Sequence, residues 1–134
     1  MKLHNIEIDK FTEAYITCAL WASIESDEQG NNCRPLDDNY GPEDLAEEAV
    51  KAIVEDCKDF QEAQGELITQ AIKMAENRYT IESAGHDFFL TRCGHGAGFW
   101  DRGLGTLGTI LSDASKIYGN VDFYTGDDGQ LYVQ

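Results

Sequence analysis

At 134 residues the chain fits one domain, and with 42% apolar residues, two Trp, six Tyr and six Phe it can fold around a core without disulfides or metal. Its 25 acidic residues against 10 basic ones give a net charge of −15, which argues against direct binding of nucleic acid or anionic lipid, because each phosphate contact needs a cation. No apolar run approaches the roughly 20 residues of a bilayer span, and Met1 to Asp9 lacks the basic-then-apolar order of a secretory signal, so a cytoplasmic protein is expected.

Leu3, Ile6 and Ile8 suit a short strand or an irregular lead. Asp9 reads as the N-cap of a helix over about Lys10 to Ser23, in which Phe11, Ala14, Tyr15, Cys18 and Ala22 share a face that Ala19, Leu20 and Trp21 widen. From Glu25 to Gly41 the periodicity stops, and the Gly, Asn, Pro and Asp residues read as a long loop of the kind that often carries function. The loop holds Glu25, Asp27, Glu28, Asp37 and Asp38, spaced unlike a calcium-binding loop.

Gly41-Pro42-Glu43-Asp44 predicts a helix start, with proline in the first turn and Glu43 and Asp44 at the positive end of the dipole. Leu45, Ala49, Ile53, Cys57 and Phe60 then repeat at helical spacing, and the phase continues to Ala71 and Met74 or Ala75. The pattern fits either one long helix or two broken near Gly65. Glu47, Glu48, Glu55, Asp56, Asp59 and Glu62 fall on the outer side. Residues 25 to 59 hold twelve acids and three bases, a net of −9, so over half the excess charge sits in about a quarter of the chain. Solubility alone does not require that concentration.

After Asn77 the pattern turns to alternation. Tyr79 to Ser83 and Asp87 to Arg92 read as strands joined by Ala84-Gly85-His86, and Phe99-Trp100 as a possible third. A helix follows over about Leu104 to Tyr118, with Leu107, Ile110, Leu111, Ala114 and Ile117 expected inward and Gly119 closing it. A hairpin, Val121 to Tyr124 and Gln130 to Val133, turns at Gly126-Asp127-Asp128-Gly129. The expected fold is a single α+β domain, residues 1–77 mainly helical and acidic, residues 78–134 a ββ(β)αββ unit. Its N-terminal helices would pack on a small, mostly antiparallel sheet with one further helix.

Gly103-Leu104-Gly105-Thr106-Leu107-Gly108 matches GxGxxG, but Trp100-Asp101-Arg102 leads into it where a dinucleotide site needs an apolar parallel strand, so no cofactor is expected. His86, Asp87, Cys93, His95 and Asp101 crowd into sixteen residues; a small enzyme or metal centre on His86, Asp87, His95 and Asp101 is the alternative reading. The paired spacings of a zinc site are missing, so no metal is expected. Cys18, Cys33, Cys57 and Cys93 form no CxxC pair and read as reduced thiols, and GxSxG, phosphate-loop and HExxH motifs are missing from the sequence.

Gly85-His86-Asp87-Phe88-Phe89-Leu90-Thr91-Arg92, followed by Gly94-His95-Gly96-Ala97-Gly98-Phe99-Trp100-Asp101-Arg102-Gly103, resembles a signature of small uncharacterised proteins encoded by tailed bacteriophages and prophages. Phe11 to Ile16, the turn at Gly126 to Gly129 and Tyr132 are similar as well, whereas Cys93 stands where that family has a polar residue. The resemblance implies a phage accessory protein made in the bacterial cytoplasm, of a kind that occupies host machinery such as restriction or CRISPR nucleases. The partner expected is a host protein with a basic, nucleic-acid-binding surface, engaged through the acids of residues 25 to 59, with mimicry of DNA as one mode of contact. Exposed parts of the glycine loop, His95, Trp100 and Arg102, would add a specific anchor. Direct nucleic-acid and membrane contacts are not expected, and the oligomeric state is left open.

Overall fold

The computed structural model describes residues 1–25, 30, 33–76 and 78–134. Among these residues four helices form the body: α1 (Lys10–Ala22), α2 (Glu47–Met74), α3 (Ile81–Arg92) and α4 (Thr106–Lys116). Three two-stranded antiparallel ladders stand apart from one another: β1 (Lys2–Leu3) with β2 (Ile6–Glu7), β3 (Ile24–Glu25) with β4 (Arg34–Pro35), and β5 (Phe123–Thr125) with β6 (Leu131–Val133). The expected multi-stranded sheet of the second half is not formed: of its strands only the last hairpin, β5 with β6, is present among the described residues. Residues 81–92 are helical instead, and Phe99–Asp101 is a 3-10 turn.

The reason lies in α3. Thr80 caps its start, its hydroxyl accepting from the Ser83 N–H at 3.1 Å while the Thr80 N–H donates to Ser83 Oγ at 3.2 Å. Beyond that turn the helix is buried on almost every side, from Ala84 and Gly85 through Asp87 to Arg92. A helix surrounded by protein has no polar face, so its sequence shows no 3.6-residue stripe, and the short alternation at Tyr79 to Ser83 imitates a strand. Gly85 permits the burial: a Cβ there would lie 2.0 Å from the carbonyl oxygen of Phe11, so α1 and α3 approach backbone to backbone.

Asp9 caps α1 by accepting from the Thr12 N–H at 2.8 Å. Helix α1 buries Phe11, Tyr15, Ile16, Cys18, Ala19 and Leu20. Pro42–Asp44 forms a single 3-10 turn, closed by the Asp44 carboxylate accepting from the Gly41 N–H at 2.8 Å. The chain then extends through Leu45, which bridges Leu131, before α2 begins at Glu47. Helix α2 runs unbroken through Gly65 for 28 residues, about 42 Å at 1.5 Å per residue. Its Phe60 stacks on Phe88 at 4.2 Å between ring centroids, and Phe11, Phe99 and Tyr118 pack around that pair.

Helix α4 turns Leu111 inward as expected, with Leu107 and Ala114 packed partly buried against the core, but its buried face is shifted toward small residues. Leu111 is buried with Gly108, Ser112 and Ser115, while Ile110 and Ile117 are exposed. The small face is set by a close approach, because a Cβ on Gly108 would sit 2.7 Å from the Phe99 carbonyl oxygen. In the first hairpin His4 and Asn5 both take positive φ, as a two-residue turn requires, and His4 Nε2 lies 2.7 Å from the Leu45 carbonyl oxygen. No helix among the described residues is long and apolar enough to cross a membrane.

Two glycines in helices should respond oppositely to alanine. Gly65 has no heavy atom within 4 Å of an added Cβ, so Gly65→Ala should raise stability by about 1 kcal/mol through helix propensity. Gly85→Ala must separate α1 from α3 and should cost about 3 kcal/mol or more. Chemical denaturation of both variants checks the pair.

Candidate functional site

The acidic residues divide by whether the fold uses them. Asp44 holds the Gly41 turn, and Asp87, 1% exposed, is enclosed. Glu25 is half-buried in β3, with the Tyr40 hydroxyl donating to it at 3.5 Å. Asp56, expected on the outer face of α2, forms a 2.8 Å ion pair with Arg92, whose side chain is 5% exposed. Asp59 is exposed and accepts from the Tyr118 hydroxyl at 2.5 Å. Glu47 lies 3.9 Å from Lys51 in an exposed pair. Asp27 and Glu28 lie outside the described residues.

Asp37, Asp38 and Glu43 stand exposed on the approach to α2, and Glu48, Glu55, Glu62 and Glu66 are exposed along it. At 100° per residue, Glu48, Glu55, Asp59, Glu62 and Glu66 fall within about 60° of arc and span about 27 Å of helix axis. Their mean axial spacing is about 7 Å, against about 3.4 Å for phosphates along one DNA strand. The row is thus an exposed acidic face with roughly half the linear charge of a single strand. Glu66 was missed at the sequence level. The signal that finds it is the helical phase carried across Gly65.

The histidine region separates into two places. His86 and Asp87 line an open groove of about 830 Å³ between α1 and α3, whereas His95 lines a cavity of about 250 Å³ with Cys93 and Asp122. Asp101 is exposed and lines neither of these two cavities. No three His, Cys, Asp or Glu side chains among the described residues converge as a metal set would.

Asp87 instead serves as a buried acceptor. Arg102 grips it from two sides, Nη2 donating to Oδ1 at 2.8 Å and Nε lying 3.1 and 3.2 Å from the two oxygens, and the Tyr79 hydroxyl donates to Oδ2 at 2.7 Å. Burial, then the negative charge of Asp87, pushes the Tyr79 phenol well above its usual range, so it stays a donor. Arg102 is therefore partly committed to the fold, with a third of its side chain still open to the groove. Burial lowers the His86 pKa, keeping its ring neutral at pH 7 beside the Trp21 ring, 6.5 Å away.

The glycine loop is chiefly structural. Gly94 takes φ +72° after α3, and the His95 N–H returns to the Leu90 carbonyl at 2.9 Å, a helix-ending turn. The Thr91 hydroxyl accepts from the Phe99 N–H at 3.2 Å, and Gly98 leaves it room. Gly96 has open space around it, so it is not the constrained member of the loop. His95 and Trp100 remain exposed.

In the GxGxxG stretch, Gly105 precedes α4 with φ +59° and Gly108 packs on Phe99. A 3-10 turn, not a strand, leads into it. The chain matches no known protein-family model, no curated protein and no solved structure.

Removing Arg102 leaves the Asp87 charge enclosed, which should cost about 3 kcal/mol in Arg102→Leu. Adding Asp87→Asn to that variant should restore part of the loss. Urea unfolding of the two single variants and the double variant measures the coupling.

Proposed function

We propose that the protein is a phage-type accessory protein that binds the basic surface of a host nucleic-acid-binding protein, such as a restriction or CRISPR nuclease, and blocks it stoichiometrically. One observation carries the reading. The acids that the fold uses, Asp44, Asp56 and Asp87, are separate from the row Glu48, Glu55, Glu62 and Glu66, for which the described residues supply no hydrogen-bond or ion-pair partner.

Such a row on a rigid helix keeps its charges aligned, so a basic groove meets them without first ordering a loop. The motif at Gly85 to Gly103 supports the phage origin, and the net charge of −15 supports the sign of the partner. With half the charge density of one DNA strand, α2 competes with nucleic acid by occupying part of its path, aided by Asp37, Asp38 and Glu43 on the preceding segment.

Replacing Glu48, Glu55, Glu62 and Glu66 by lysine should leave the unfolding transition close to that of the parent, since these side chains are exposed. Asp56 must stay, because reversing it would expose Arg92 to a like charge. The parent chain, immobilised in bacterial lysate, should retain a nucleic-acid-binding protein that added duplex DNA releases. The four-lysine variant should lose it, and affinity for the purified partner should fall at least about tenfold between 50 and 300 mM salt. Equal capture by both chains, or capture that DNA does not disturb, would overturn the proposal.

A further inference from the structure

We propose that the groove between α1 and α3 is a binding site for a nucleoside monophosphate, an anion carried on a planar ring. It lies on different elements from the acidic row of α2 and is argued independently of it.

Three of the chain's ten cations, Lys10, Arg78 and Arg102, line this one groove. Arg78 and Arg102 also line the adjoining cavity of about 400 Å³ with Tyr79, so both arginines border the two spaces. Their donors are only partly used. Arg102 gives Nε and Nη2 to Asp87, and Arg78 gives Nε to the Ala75 carbonyl at 3.2 Å. Nη1 of Arg102 and both Nη atoms of Arg78 have no hydrogen-bond partner among the described residues. Two guanidinium groups with open donors bordering one groove suit a phosphate, which accepts from several N–H groups at once.

The same groove offers a surface for a ring. Lys10, Ala14, Thr17 and Trp21 follow one another at i, i+4, i+7 and i+11 on one face of α1, about 16 Å from end to end. Trp21 is 58% exposed and leans on His86, which lines the groove. An exposed indole beside a neutral imidazole is a platform on which a base stacks, with the imidazole nitrogens free to meet its polar edge. Glu13 and Glu82 stand exposed in the groove wall as acceptors for sugar hydroxyls. A volume of about 830 Å³ lies within the usual span of small-molecule sites.

Charge sets the size of the ligand. Glu13 and Glu82, with the overall −15, oppose each added phosphate, so a monophosphate is favoured over a triphosphate or a nucleic-acid strand.

Titration calorimetry and tryptophan fluorescence with the four nucleoside 5′-monophosphates, adenosine, inorganic phosphate, ATP and a five-residue oligonucleotide test the proposal. At least one monophosphate should bind with a submillimolar Kd, with the neutral nucleoside and free phosphate each weaker by about tenfold or more. Trp21→Leu and Arg78→Gln, neither of which removes a core contact, should each weaken binding by about fivefold or more while the melting temperature holds. Silence with all four monophosphates at about 5 mM, or unchanged affinity in both variants, would overturn the site. Tighter binding of ATP or the oligonucleotide would overturn the assignment to a monophosphate.

Discussion

The whole arrangement turns on the buried guanidinium of Arg92 at the end of α3. Nε donates to the Gly119 carbonyl at 2.8 Å and Nη2 to the Tyr118 carbonyl at 2.9 Å, both in the segment that follows α4. Nη1 meets the Tyr15 hydroxyl of α1 at 3.2 Å and the Asp56 carboxylate of α2 at 2.8 Å. One side chain thereby ties its own helix to α1, to α2 and to the segment that ends α4. It also lies over the rings of Phe88 and Tyr118 at 5.6 and 5.7 Å, so the charge is met by π faces as well as oxygens. A buried cation tolerates such a place only when its donors are satisfied in this way.

That constraint shows why part of the fold was legible in sequence and part was not. Helix α1 with its Asp9 cap, the apolar phase of α2, the stop at Gly119 and the last hairpin each carry a local signal that the structure reproduces. Helix α3 carries no such signal because its polar residues are consumed inside: Asp87 by Arg102 and Tyr79, Thr91 by the Phe99 amide, Arg92 by its four partners. Helix α4 misleads in the other direction. Ile110 and, just past its end, Ile117 point out, because the carbonyl of Phe99 admits only Gly108 on the near side.

The candidate surfaces were legible to a similar extent. Charge counting found the acidic region, and helical phase placed most of its outer face. Neither separates a structural acid from a solvated one, and Asp56 looks outward by phase until Arg92 is seen beside it. The groove went unseen for a related reason: Lys10, Arg78 and Arg102 are far apart in the chain, and only Arg102 belongs to a motif. Arg102 illustrates the overlap between the two kinds of role, with one edge holding a buried carboxylate and the other facing open space.

The contact of Gly85 with the Phe11 carbonyl joins positions 74 residues apart and has a consequence for how the chain acquires its structure. Helix α1 is made first, yet the surface it needs arrives only after the whole of α2 has been synthesised. Until then Phe11 and Tyr15 lack Phe88 and Phe89, and the inner side of α2 lacks its stacking partner for Phe60. Loop closure over that separation is slow compared with helix growth, so assembly waits on the emergence of α3. On a ribosome the first 80 residues thus leave the exit with Phe11, Tyr15 and Phe60 short of the rings that cover them in the finished fold.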